Sequence, residues 1–391
     1  MKICHVVSSL DPASGGPFSV VTGLAAAQAA LEHEVWIMSN PHVLRELDLA
    51  PWLRGVSGFD KVTIVPNIHA NSVSRIIQMR PARPLRRIVS DCDIVHLHGV
   101  WDAILLTAAT FARKVGTIYV VTPHGMLDPW SLRQKRWKKK LALRLGFRKM
   151  LGVAAFLHVL NTDEEEHVKA LLTRGCQTVI IPNGIPPADI AGLPPKGTFY
   201  NLHPELNSNP YILFLGRLHF KKGLDYLVDA FFQVTQEHAN VDLVIAGPDS
   251  GERNNLLRQV EQLRLGNRVH MVGPLYGHAK FAALMDATIF CLPSRQEGFS
   301  MSIIEALACG LPVVISPQCH FNEVSEIGAG EVVILNPKAI ADAIARFLGD
   351  KDLRRRAGEA GRALVLNRFT WPKIAIQTTN AYARALRSEY V

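Results

Sequence analysis

The sequence predicts an α/β protein made of two Rossmann-like, doubly wound parallel-sheet halves that face a central cleft. Three observations carry that expectation. Short Val- and Ile-rich runs recur along the chain with helical stretches between them, and near-continuous apolar strands alternating with helices mean a parallel sheet covered on both faces. Residues 186–210 are dense in Pro and Gly and break the alternation, as a linker or domain edge does. The alternation then restarts, and 391 residues are enough for two cores.

Taken in order, the first half, 1–195, offers strand runs at 2–8, 35–38, 62–65, 93–98, 118–122, 154–160 and 178–181. The second half, 196–371, offers them at 211–215, 241–246, 268–272, 287–292, 312–315 and 331–335. A helical segment follows at 351–366. Another follows Trp371-Pro372, and residues 372–391 are expected to pack back on the first half. In such sheets ligands gather at the carboxyl ends of strands.

Composition excludes several classes. No apolar run approaches the roughly 18 residues that cross a bilayer. The opening MKICHVVSSLD reaches Asp11 and a Gly-Gly-Pro loop too soon for a secretory leader, so a cytoplasmic protein is expected. The six cysteines form no C-x-x-C pair and read as reduced, buried thiols. No G-x-G-x-x-G follows the first strand, which disfavours a nicotinamide enzyme. Asp91-Cys92-Asp93 reads as a turn rather than a metal site. His96 and His98 share a strand face, yet no carboxylate or cysteine cluster accompanies them, so no metal is expected.

Two stretches carry candidate chemistry. In 211–232, a buried strand ends at Gly216-Arg217 and a helix follows Gly223, with Leu224, Leu227, Val228 and Phe231 on one helical face. Arg217 and Lys222 thus lie beside a helix N-terminus, a place suited to a phosphate, or else to a solvated basic turn. In 293–312 another strand ends before a helix, with Glu297 ahead of it and Glu305 about one turn inside. The N–H groups of Gly298, Phe299 and Ser300, together with two carboxylates, suit a ligand carrying both phosphate and sugar hydroxyls. Alternatively, Ser302 to Glu305 is a capping-box pattern.

Together these stretches resemble the bacterial glycosyltransferase family 4, retaining enzymes of the GT-B fold, over essentially the whole chain. The family's marks stand here as Gly15-Gly16, Pro182-Asn183-Gly184-Ile185, Gly216-Arg217 through Lys222-Gly223, and Glu297 with Glu305. The resemblance implies that Arg217 and Lys222 bind the donor diphosphate and Glu305 the ribose hydroxyls. It implies further that Glu297 contacts the transferred sugar, that Gly16 brings backbone close to a phosphate, that Leu275 lies near the base, and that His124 lies close to the reacting sugar. Asn183 joins the substrate-binding set. The implied donor is a UDP-sugar, with glucose favoured, and no catalytic metal is implied.

The charge is uneven. Residues 1–199 hold 23 Lys and Arg against 15 Asp and Glu, within a net +9 for the chain. From Arg133 to Lys149 there are nine basic residues and no acid, interleaved with Trp137, Leu141, Leu145 and Phe147. That pattern suits a helix lying on an anionic membrane, with a lipid-linked saccharide as acceptor. The other reading is a solvated helix whose apolar residues pack on the sheet. No nucleic-acid motif is present. The alternatives are a sucrose- or glucan-synthase-like transferase with a soluble acceptor, a non-catalytic sugar-nucleotide-binding scaffold, and a GT-B epimerase.

Overall fold

The computed structural model describes residues 1–11, 16–40, 56, 58–66, 83–172 and 175–389. The chain divides into two compact units, residues 1–188 with 370–391, and residues 189–369.

In the first unit seven parallel strands take the order β3-β2-β1-β4-β5-β6-β7. They are β1 Lys2–Val7, β2 Glu34–Ser39, β3 Val62–Pro66, β4 Ile94–His98, β5 Ile118–Thr122, β6 Leu157–Val159 and β7 Thr178–Ile180. All of β4 and nearly all of β1 are buried, which is why these runs read as continuously apolar instead of alternating. Side chains still alternate between faces. Cys4, Val6, Val95 and Leu97 enter the larger core. Val7, Val35 and Ile37 enter a second core with α1, Gly16–Ala30.

The parallel register sets His5 beside His96 and Val7 beside His98. That places three histidines on the face opposite the larger core. Also in this unit are α2, Thr162–Leu171, and the terminal helix, Trp371–Leu386, which packs on α1.

The second unit holds six parallel strands in the order β10-β9-β8-β11-β12-β13. They are β8 Tyr211–Leu215, β9 Asp242–Ala246, β10 Val269–Gly273, β11 Ile289–Leu292, β12 Val313–Ile315 and β13 Gly330–Val332. Helix α3, Leu224–Glu237, buries Leu224, Leu227, Val228 and Phe231, each worth about 1.5–3 kcal/mol of apolar burial. Helices α4, Gly277–Asp286, and α5, Met301–Ala308, follow β10 and β11. The expected strands at 154–160 and 331–335 shorten to Leu157–Val159 and Gly330–Val332, because apolar composition continues past the last ladder bonds. In both sheets the strand order reverses once, between β1 and β4 and between β8 and β11. Such a switch point leaves a crevice at the strand carboxyl ends.

The basic stretch is not one helix. It runs as Pro129–Arg133, Arg136–Ala142, a wide turn over Leu143–Phe147 and Arg148–Gly152. Gly146, at φ 128°, makes the kink. Trp137 and Leu145 are each 68% exposed and Leu141 is 49% exposed. The expectation that these side chains could pack on the sheet therefore fails for all three, while Phe147 is buried.

Candidate functional site

At the switch point of the second unit, β8 and β11 pair in parallel, Ile212 beside Ile289. The loops leaving them meet. Gly223 has φ 65°, and a Cβ there would lie 1.9 Å from the Pro293 carbonyl oxygen, so only glycine allows the second loop to pass. Lys222 Nζ sits 2.5 Å from Glu297 Oε1, and Ser294 Oγ donates to the same oxygen at 2.5 Å. The two charged side chains are 16% and 10% exposed.

Arg295 fastens the loops together. Its guanidinium grips Asp225 through Nη1 at 2.7 Å and Nη2 at 2.5 Å, donates to the Phe220 carbonyl at 2.9 Å, and stacks on the Phe220 and Tyr226 rings. Its backbone N–H donates to the Lys221 carbonyl at 2.6 Å. This is a bidentate, charge-assisted contact of the stronger kind.

Glu305 does not close a capping box. The N-cap of α5 is Ser300, which makes no side-chain cap bond, and Glu305 Oε1 accepts from Lys280 Nζ of α4 at 2.7 Å. Burial pulls the Lys280 ammonium down, but Glu305 and Asp189 outweigh it and hold its pKa above the ordinary value. Asp189 is in turn pushed up, by burial first and by Glu305.

Arg217, at the end of β8, is exposed and makes no hydrogen bond or ion pair to a described residue. His219 nearby is lowered from its ordinary value by burial first and then by Arg217 and Lys221. Two helix N-termini and two cations at one switch point are an arrangement of the kind that suits an anion, and carboxylates beside them are groups of the kind that accept hydrogen bonds from hydroxyls.

Gly298, Phe299 and Ser300 lie between Glu297 and α5. The Phe299 ring packs 6.1 Å from Phe321 and 6.3 Å from Phe369, centroid to centroid, and Ser300 Oγ lies 3.0 Å from Ser302 Oγ. Leu275 lies half-buried in the turn between β10 and α4. Gly16 opens α1, exposed, with no described atom within 4 Å of a Cβ placed there. Gly15 lies outside the described residues. Asn183 is buried, and its neighbours dock on the terminal helix, where the Trp371 N–H donates to the Ile185 carbonyl at 3.1 Å. Asp91 and Asp93 are engaged by Lys2, through its ammonium at 2.8 Å and its backbone N–H at 2.7 Å.

In the first unit, His124 follows β5 at φ 53° and Gly125 continues at φ 71°. Glu164 of α2, buried, accepts the Gly125 N–H at 2.6 Å and the Leu160 N–H at 2.8 Å, which fixes that turn. Burial pushes its carboxyl up despite those bonds. His124 Nε2 lies 3.1 Å from His98 Nδ1, and His98 Nε2 lies 2.8 Å from His5 Nδ1. His96 bonds Thr122 Oγ1 and the Tyr382 hydroxyl, each at 2.6 Å.

Ligand atoms of His5, His96 and His98 fall within 4.8 Å of one another, yet both ring nitrogens of all three already sit in hydrogen bonds. Burial first, then neighbouring imidazoles, lowers His96 and His98 well below the ordinary value. Burial lowers His5 and His158 to about 4. The cluster is neutral near pH 7.

Sequence reasoning missed Lys280, Ser294, Arg295, Asp225, Glu164, His5 and Gln28. A usable signal existed for His5 alone, since it lies on the first strand at the same parity as the later His96 and His98 once β1 and β4 are paired.

Residues 15–184 match the glycosyl transferase 4-like domain, and residues 201–364 match glycosyl transferases group 1. The chain is 33% identical over 178 residues to an uncharacterized glycosyltransferase of Methanocaldococcus jannaschii, a match spanning 45% of each chain. It is 29% identical to the phosphatidyl-myo-inositol mannosyltransferase of Mycobacterium leprae, over 81% of each. It is also 24% identical to a GDP-mannose-dependent alpha-(1-6)-phosphatidylinositol dimannoside mannosyltransferase of Mycobacterium tuberculosis, over 96% of this chain and 94% of that one. Among solved structures, Anabaena HepE in complex with UDP and glucose superposes with a TM-score of 0.75 at 20% identity, covering 98% and 99% of the two chains.

Proposed function

Because the chain belongs to the GT-B glycosyltransferases of the family-4 type, we propose that it moves a hexosyl group from a nucleoside-diphosphate sugar to a saccharide or lipid-linked hydroxyl, with retained configuration and without a catalytic metal. The carrying observation is the strand-end cluster of the second unit, where Lys222 and Glu297 stand in one hydrogen-bonded group and Glu305 is held by Lys280. Arg217 and Lys222 neutralise charge gathering on the leaving diphosphate. Glu297 accepts hydroxyls of the transferred sugar and Glu305 those of the ribose, while the backbone from Gly298 to Ser300 meets phosphate oxygens. Leu275 borders the base. The departing phosphate oxygen helps take the acceptor proton on the same face, so no protein nucleophile is required. The family resemblance adds Gly15, Gly16, Asn183 and His124 to the substrate-binding residues.

Exposed Trp137, Leu141 and Leu145 among nine basic residues suit an anionic lipid surface, with about 1 kcal/mol from each well-placed charge. No helix among the described residues is long and apolar enough to cross a membrane. This surface favours a lipid-linked acceptor, in cell-surface polysaccharide or glycolipid assembly, over a soluble one. UDP-glucose is the first reading for the donor. GDP-mannose is the second, supported by the name of the Mycobacterium tuberculosis relative.

A thermal-shift series with UDP-, GDP- and ADP-sugars tests both readings. A specific donor at 100 times its dissociation constant adds about 2.7 kcal/mol of stability. A response to GDP-mannose alone selects the second reading. No response to any nucleotide sugar contradicts the proposal.

A further inference from the structure

The first unit buries a row of imidazoles that ends at His124. It begins at Gln28, fully buried on α1, whose Oε1 lies 2.7 Å from His5 Nε2. It passes from His5 Nδ1 to His98 Nε2 at 2.8 Å and from His98 Nδ1 to His124 Nε2 at 3.1 Å. His5 and His98 are 0% and 3% exposed, whereas His124 is partly exposed, so the row reaches solvent at His124.

A neutral imidazole has one N–H and one lone pair, and each bond between two rings holds one proton. The rings are neutral at ordinary pH, since burial holds His5 near 4 and lowers His98 and His124 from the ordinary histidine value. The first acceptor therefore fixes every later choice. With an amide oxygen facing it, His5 donates from Nε2 and must accept at Nδ1. His98 then donates from Nε2 and accepts at Nδ1, His124 donates from Nε2, and the His124 Nδ1 keeps its lone pair. An amide nitrogen facing His5 would reverse the whole row and leave His124 with an outward N–H. The Gln28 amide oxygen is the atom that faces His5, and this sets the sense of the row.

We propose that Gln28, His5 and His98 are positioning residues that hold His124 in its Nε2–H form, so that Nδ1 accepts a hydrogen bond from a hydroxyl of the reacting sugar or acceptor. The second clause rests on the proposed reading of His124 as a neighbour of the reacting sugar. The first does not.

Nitrogen-15 histidine labelling with long-range proton–nitrogen spectra between pH 6 and 8 reads the tautomer, the His124 signals being assigned by their loss in His124→Gln. The expected wild-type state is protonated Nε2 and bare Nδ1. Gln28→Met removes the acceptor and should shift the His124 signals toward the other tautomer, with kcat down about 10-fold and the donor KM unchanged, as for one lost hydrogen bond. Gln28→Glu keeps an acceptor oxygen and should keep the wild-type form. A wild-type Nδ1–H form, or a tautomer indifferent to residue 28, overturns the proposal whatever the activity. A tautomer that moves while kcat does not overturns the reading of His124 and leaves the row as architecture. Stoichiometric zinc retained by His5, His96 and His98 would also overturn it, because a metal takes the lone pairs that the row needs.

Discussion

The strand ends of the two units solve opposite problems. In the second unit they hold opposed charges at close range, Lys222 with Glu297, Lys280 with Glu305, and Arg295 with Asp225. In the first they hold neutral imidazoles whose ring nitrogens are spent on one another and on Gln28, Thr122 and Tyr382. A charged ligand can displace a partner in the first kind of site and keep its charge compensated. A site of the second kind can offer only oriented hydrogen bonds. The same sheet topology thus gathers opposed charges at the strand ends of one unit and neutral, oriented imidazoles at those of the other.

The contrast breaks most sharply at Lys222. Lys222→Ala should cut turnover by about 100-fold or more, the scale of losing one preorganised donor, about 2.7–4 kcal/mol. Near-normal turnover in a sugar-transfer assay would remove Lys222 from the grip. Next is Gly223→Ala, which sets a side chain at positive φ against the Pro293 carbonyl. It should cost the second unit about 2–3 kcal/mol and lower its Tm by about 4–12 °C, read by calorimetry. An unchanged Tm would show that the two loops do not touch.

The neutral side is tested by acid. His5 and His158 have folded pKa values depressed to about 4 from an ordinary 6.5. Their contribution is present in full above pH 6.5 and is lost as pH falls toward 4. Each costs about 1.4 kcal/mol per pH unit in that window. Peptides from β1 and β6, which carry His5 and His158, should lose hydrogen-exchange protection, corrected for intrinsic rate, between pH 6.5 and 4. Flat protection would mean that the cluster is not buried and neutral. The smallest effect belongs to the basic surface, where each of Lys138→Gln and Lys140→Gln should weaken binding to vesicles containing anionic lipid about 5-fold. Binding indifferent to both changes and to lipid charge would restore the soluble-acceptor reading.

How far the sequence reached follows the same divide. Continuous apolar runs placed the thirteen described strands within a few residues, because buried parallel strands need no partner information to be recognised. The positions of Arg217 and Lys222 after β8, and of Glu297 and Glu305 after β11, could be read from the sequence because each pair follows a continuous apolar run along the chain. Lys280 was not, since it reaches Glu305 from a different helix. His5 and Gln28 were hidden for a related reason: His96 and His98 share a strand, but the pairing of β1 with β4 and the seating of α1 exist only in three dimensions. The kink at Gly146 was missed because a basic amphipathic pattern continues through it.

The donor grip is tested most directly by calorimetric titration of UDP and GDP into wild-type protein and Glu305→Gln. One of the two nucleotides should bind the wild type and lose about 10-fold or more in affinity on losing a charged hydrogen-bond acceptor. Equal affinity in the two proteins, or no binding of either nucleotide to the wild type, would contradict a nucleotide held at the strand ends of the second unit.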